Sequence, residues 1–481
     1  MVFSSIEFMF RFLPVFLIVY FAAVPKYRNI ILLIGSLFFY GVGEPSYIIL
    51  MIISILVNHF AAVNIFHAAK REDDSGTSTQ ALRKAWLIAA MVFNFGMLFV
   101  FKYLNFFIGM INGIAHTTVL KPTDLTLPLG ISFYTFQAAS YVIDIYRRKY
   151  EIADGLLDFA TYLCMFPQLI AGPIVSFAEV KDDLHKLRKA SLPRIEWGTA
   201  IFVLGLAYKV LLANKIASLW NTIMTAGVMG IHPLTAWLGS WGFSMQLFFD
   251  FFGYSLMAIG LGRILGFKFP MNFKNPYCAT SSTDFWRRWH ITLSSFFRDY
   301  VYIPLGGNRV SLPRQILNLF IVWGLTGLWH GASWNFVIWG LYYFVFLCLE
   351  KFVFKKFLDK IPKIIRWVYS MFVVLVGWMI FYFEDFSAMK SAFSVAFGAS
   401  GNAFTDPVMN AMIINNIPFI IIAAIACAPI AKLVKAGIAK LKQRAPVTEP
   451  IFNTVFNVVM LVLCVASLAG STYNPFLYFR F

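Results

Sequence analysis

The sequence predicts an all-α, polytopic membrane protein, and three observations carry that expectation. Of its 481 residues, 59% are hydrophobic and only 13% charged, whereas a soluble domain carries about a quarter charged residues. Apolar runs near the ~20 residues that cross a bilayer recur along the whole chain. The Lys and Arg residues behind the formal charge of +17 sit in short loops between those runs, as topology determinants do, and form no stripe for nucleic acid.

In chain order, the runs place spans at 8–24, 29–43, 47–66, 87–101, 103–118, 156–175 and 197–213, then at 236–262, 315–331, 333–350, 367–383, 411–430 and 451–470. The first run lacks a small-residue cleavage site after it and is expected to be retained as a span. Stretches 122–145 and 301–311 are interrupted by Gly and Pro and read as re-entrant, because non-helical backbone at membrane depth must be buried in protein or line a wet cavity. "VKDDLHKLRKASLPRIE" (180–196) reads as an amphipathic surface helix with Leu184 and Leu187 on its apolar side. Residues 1–481 are expected to form one integral membrane domain, with 471–481 as an aromatic tail. The most basic loops, around 70–85, 350–366 and 432–444, should face the cytoplasm, and the acidic loop 384–410 should lie outside. Both termini are then extracytoplasmic.

Five scattered cysteines without a CxxC pair indicate neither a disulfide framework nor a zinc site, and no metal is expected. A phosphate loop, an H-E-x-x-H helix, a G-x-S-x-G elbow and an H-x-x-x-x-D pair are all absent from the sequence. ATP coupling, zinc hydrolysis and a serine triad therefore lose support.

Chemistry concentrates in two stretches. In "TDFWRRWHITLSSFFRDYVYIPLGGNRVS" (283–311), a helix over 282–297 would place Trp286, His290, Leu293 and Phe297 on one face and Asp284, Arg287 and Arg288 on the other. In "WGLTGLWHGASWNFVIWGLYY" (323–343), Trp323, Gly327, His330 and Trp334 share a helical face, and Gly327 with Gly331 permits close backbone approach. An ionisable residue inside an apolar run is costly and marks a functional site by default; a histidine bonded to a neighbouring carbonyl is the bland alternative. Asp250 in "QLFFDFFGYSLMAIGLGR" is expected to pair with Arg263 or a histidine, and Asp144 with Arg147 or Arg148. "FPQLIAGPI" (166–174) is expected to shape a cavity.

Together these stretches resemble the membrane-bound O-acyltransferase family, in its bacterial alginate O-acetyltransferase-like branch. The resemblance runs nearly end to end, through "LPLGISFYTFQAASYVIDIYR", "FPQLIAGPI", "FDFFGYSLMAIGLGR", "DFWRRWHITLSSFFRDYVYIPLGGNR", "LWHGASWNFVIWG" and the terminal "FLYFRF". It implies a ring of about 11–13 membrane-spanning or re-entrant helices around a central tunnel. It further implies a cytoplasmic thioester donor, acetyl-CoA or an acyl carrier, and an acceptor hydroxyl approaching from outside.

By position, His330 matches the family's invariant histidine and His290 the second histidine of this branch. The resemblance implies His330 as general base and His290 as the group that orients the acyl chain or stabilises the oxyanion. Asp250, Trp286, Trp329 and Trp334 would support the tunnel, and Arg287, Arg288 and Arg298 would bind donor phosphates. The expected partners are membrane lipid, a polysaccharide acceptor and an extracellular SGNH-type acetyltransferase. The C-terminal "NPFLYFRF" resembles the aromatic motif of the small partner in D-alanylation systems, which makes Tyr478 a candidate acyl relay; an aromatic anchor at the membrane interface is the alternative. Phe252 and Leu256 depart from the small and acidic residues common in alginate-type relatives, so a D-alanyl transferase of the same fold stays open. A transporter is a further alternative, disfavoured by the absence of internal repeats.

Overall fold

The computed structural model describes residues 1–152, 155–170, 172–225, 227, 230–429, 448–470 and 477. Among them there is helix but no strand, and eight helices are long and apolar enough to cross a membrane. The chain is a multi-pass membrane protein. It divides into two compact units, Met1–Phe202 with Ser255–Pro270, and Val203–Tyr254 with Met271–Phe481.

The first unit is built on the helices Arg28–Gly43, Ile48–Ser75, Gln80–Leu98 and Ile131–Tyr146. Ile131–Tyr146 is buried along nearly its whole length, so it is a central helix and not a lipid-facing one. Gly130 starts it at φ 75, and a Cβ there would meet the Leu169 carbonyl at 2.6 Å. That close approach requires glycine. Asn58 and Asn94, both fully buried, exchange side-chain amide bonds of 3.0 and 2.6 Å between neighbouring helices, a polar lock suited to an apolar surrounding.

Several expectations change in this unit. The predicted spans 87–101 and 103–118 form one helical run, Gln80–Leu98, Phe99–Tyr103 and Leu104–Ile114, because a π-helical turn absorbs the polar "KY" without breaking the rod. Residues 156–175 make no single span: Leu156–Cys164 and Phe166–Leu169 are separate helices, divided by Met165 in non-helical backbone (φ −47, ψ 108), and Pro167 sits in the first turn of the second. The surface helix ends at His185, with Leu184 buried and Leu187 exposed. Asp144 pairs with Lys149 at 3.2 Å, while Arg148 reaches Asp73 and Glu72.

The second unit packs Pro233–Leu265 (through Tyr254), Leu312–His330, Trp334–Cys348 and Lys363–Tyr382 around an aromatic core that includes Trp286, Trp289, Trp339 and Trp378. Leu312–His330 and Trp334–Cys348 meet at glycines. A Cβ on Gly327 would strike the Phe336 carbonyl, and one on Gly340 the Trp323 carbonyl. The backbones therefore touch, as small residues allow in membrane helices. Gly331 ends the helix in extended backbone at φ −168, and a Cβ there would strike the Phe336 ring of the same neighbouring helix.

Asp250 is buried and its partner is Lys209, not Arg263 or a histidine. Lys209 Nζ lies 2.6 Å from Asp250 Oδ1, and both side chains are almost fully buried. Arg263 instead stacks on Trp197 in the first unit. Breaking a buried pair from one side strands a charge and costs about 3–5 kcal/mol. Asp250→Ala should therefore strongly lower the melting temperature of the purified protein. Joint replacement by Lys209→Met and Asp250→Leu should restore much of it; equal melting of Asp250→Ala and wild type would contradict the pairing.

Candidate active site

The 283–311 stretch is not one helix. Ser282–Trp286 and Ile291–Phe297 are separated by Arg287–His290, and His290 itself sits in the left-handed region at φ 44, ψ 54. A non-glycine residue held there signals a conformation imposed by its surroundings. The surroundings are explicit. Lys274 N donates to the Arg288 carbonyl at 2.9 Å, and Ile291 N donates to the Asn272 carbonyl at 3.0 Å. The break thus pairs with the 272–274 loop instead of continuing the helical ladder.

At the N-terminal side, Ser281 Oγ accepts from Asp284 N at 3.0 Å. The buried Glu350 carboxylate accepts from Ser282 N (2.6 Å), Thr283 N (2.8 Å), Thr283 Oγ1 (2.6 Å) and Tyr369 OH (3.2 Å).

Asn272 does more than hold the turn. Its Oδ1 accepts from Thr292 N at 3.2 Å and Thr292 Oγ1 at 3.0 Å, and lies 3.2 Å from His290 Nδ1. A backbone N–H can only donate, so the atom facing it is the amide oxygen. Facing an oxygen, Nδ1 carries the proton, and Nε2 becomes the ring's acceptor. His290 is 1% exposed, and burial lowers its pKa from the ordinary imidazole value. It is a neutral histidine with a fixed tautomer.

His330 ends its helix, is 6% exposed, and packs edge-on against Trp339 (ring centroids 4.9 Å) and Phe381 (5.3 Å). Trp329 touches both imidazoles, with centroids 5.0 Å from His330 and 5.7 Å from His290. Phe251 closes on His290 at 4.7 Å. Trp286 packs on Trp323 (4.9 Å), Tyr343 (4.8 Å) and Trp339 (5.4 Å), which joins the two histidine motifs into one aromatic shell.

The structure therefore brings together His290, His330, Trp286 and Trp329. Trp334 does not join them: the helix stops at His330, so the expected shared face is broken, and Trp334 opens the next helix 47% exposed. Asp250 stands beside Phe251 and, besides Lys209, accepts from the backbone N of Leu477 at 2.7 Å. Tyr478 lies outside the described residues. Of the three candidate arginines, Arg288 pairs with Asp284 and Arg298 with Asp299, each at 2.7 Å. Arg287 is exposed and lines a recess. Among the described residues, no cluster of histidine, cysteine and carboxylate groups could hold a metal.

Sequence reasoning missed Asn272, Glu350 and Lys209. Lys209 carried a readable signal, a cation in the apolar run "GLAYKVLLA". Glu350 ends an apolar run beside Lys351 and resembles a membrane-end charge. Asn272 carried little, being one polar residue in the loop "PMNFKN".

Two buried imidazoles, each in contact with Trp329, thus lie in one aromatic shell of the second unit. Residues 153–392 match the family model described as MBOAT, membrane-bound O-acyltransferase family. A probable alginate O-acetylase of Pseudomonas aeruginosa is 40% identical over 80% of this chain and 72% of its own length. A probable alginate O-acetylase of Azotobacter vinelandii is 35% identical over the whole of both chains. A peptidoglycan O-acetyltransferase of Helicobacter pylori is 35% identical over 83% of this chain and 80% of its own length. The chain belongs to the membrane-bound O-acyltransferase family and is an O-acyltransferase.

If Asn272 fixes the His290 tautomer, Asn272→Ala should cut acyl transfer by roughly tenfold or more, the scale of an outer-shell partner's loss. The melting temperature should move much less than in Asp250→Ala. Undiminished transfer by a properly folded Asn272→Ala would refute that role.

Proposed function

We propose that this protein moves an acetyl group from a cytoplasmic thioester, acetyl-CoA in the first instance, across the bacterial cytoplasmic membrane for O-acetylation of an extracellular or cell-wall polysaccharide. The carrying observation is the pair of buried histidines joined through Trp329, together with relatives named as O-acetylases of alginate and of peptidoglycan. Those names favour acetyl over D-alanyl as the group moved.

In this reading His330 takes the proton of the attacking hydroxyl as its oxygen forms a bond to the thioester carbonyl carbon. The C–S bond then breaks, and the proton passes to the departing thiolate. His290 orients the acyl group. Both termini lie outside the cytoplasm. An extracellular SGNH-type partner completes transfer to the glycan.

The Asn272 contact favours one second reading, an exchange of roles. A neutral His290 with Nδ1–H held by Asn272 presents Nε2 as an acceptor, which suits a base better than an oxyanion donor. Near-wild-type transfer by His330→Gln, with loss in His290→Gln, would select this exchange.

The attacking hydroxyl is proposed to be Tyr478. Supporting this, the preceding residue, Leu477, is buried and its amide is held by Asp250, whose neighbour Phe251 packs on His290. That contact ties the end of the chain to the residue pair flanking the histidine site.

His330→Ala, at normal membrane levels, should lower cell-surface acetylation by about a hundredfold or more, the scale of lost general-base catalysis. Tyr478→Phe should abolish it with His330 intact. Full acetylation in Tyr478→Phe would sink the relay while leaving direct transfer in place. Full acetylation in both His330→Ala and His290→Ala would sink the acyl-transfer reading of this site.

A further inference from the structure

A cavity in the second unit has neither histidine in its lining. It has a volume of about 610 Å³ and is lined by Arg287, Lys351, Lys355 and Arg366 with the carboxylates Glu350 and Asp359. Four cations thus face two acids. One of the acids is already committed, because the Glu350 carboxylate accepts the Ser282 and Thr283 donors. Lys351 is turned to Asn308 (2.6 Å) and Gln315 (3.0 Å). Neither Arg287 nor Lys355 has an ion pair among the described residues, in contrast to Arg288 and Arg298. Arg366 Nε is buried with no hydrogen-bond partner there. Buried guanidinium donors are costly to leave unmatched, so the recess is built for an anion.

Thr280, Ser281 and Thr283 form one side of it, and Leu319, Leu347, Phe352 and Leu358 make an apolar wall. Close in sequence to that wall, Leu317, Phe320, Val353 and Phe357 are exposed. In a membrane-spanning chain, such side chains meet acyl tails. Basic residues against an apolar wall, on the side expected from Lys and Arg to be cytoplasmic, match the surface potential and composition of an anionic leaflet.

We propose that this recess seats the phosphate headgroup of an anionic phospholipid, with Arg287, Lys355 and Arg366 on the phosphate and the acyl chains along the apolar wall. The proposal is independent of the acyl-transfer reading. Through Glu350, whose carboxylate lines the cavity and holds Ser282 and Thr283, an occupied recess would brace the segment that leads to His290. A soluble phosphate ester, such as the nucleotide part of a thioester donor, shares the chemistry, so the test separates the two sources.

The full chain, purified in neutral detergent, is melted during titration with phosphatidylglycerol, phosphatidylcholine or adenosine 3′,5′-bisphosphate. Phosphatidylglycerol should raise the melting temperature saturably, and the other two should not. Lys355→Gln with Arg366→Gln should need roughly tenfold more phosphatidylglycerol for half the effect, given what each cation contributes near an anionic surface. Should that pair fail to fold, Lys355→Gln alone, at an exposed position, should need a few-fold more. An identical phosphatidylglycerol response in wild type and variants would overturn the site. A shift by the bisphosphate that the variants lose would overturn the lipid assignment and make the recess a nucleotide subsite.

Discussion

One side-chain oxygen organises the centre of this molecule. Asn272 Oδ1 faces three donors at once, from Thr292 N, Thr292 Oγ1 and His290 Nδ1. It thereby fixes which way the imidazole points and which ring nitrogen holds the proton, while the Asn272 carbonyl takes Ile291 N at the helix break. In water such an arrangement would exchange freely with solvent. Inside a shell of Phe251, Trp329 and neighbouring aromatics, leaving a donor or acceptor unmatched is expensive, so the geometry is held.

The second histidine is placed by different means. His330 owes its position to backbone contact between two helices at Gly327 and Gly340, which brings Trp339 against the ring, and to the helix stop at Gly331. Any side chain at the two contact glycines would wedge the helices apart and move His330 relative to Trp329. The site therefore rests on one polar anchor and one steric one. Trp329, adjacent to His330 and in contact with His290, couples them.

Much of this was legible in the sequence, and what was not has physical reasons. Apolar runs fixed by bilayer thickness made the all-helical membrane fold plain, and two histidines in apolar, tryptophan-rich stretches stood out because charge is costly there. The kink at His290 was hidden because no glycine or proline marks it; the left-handed turn there is held by bonds to the 272–274 loop, which no local pattern registers. The 3.6-residue pattern also placed Trp334 with His330, although the helix ends at Gly331 between them. Asp250 announced a partner without identifying it, since Lys209 comes from a distant π-helical turn that local pattern cannot register. The tail contact at Leu477 is likewise a long-range fact.

Incubation of the purified protein with acetyl-labelled acetyl-CoA puts to the test the proposal that the histidine pair drives acyl transfer from a thioester. The label is then located by peptide mass, with His330→Ala as the matched control of equal melting temperature. CoA release and label on the C-terminal peptide are expected in wild type, and both should be lost in the control. Equal CoA release and labelling in His330→Ala would contradict it.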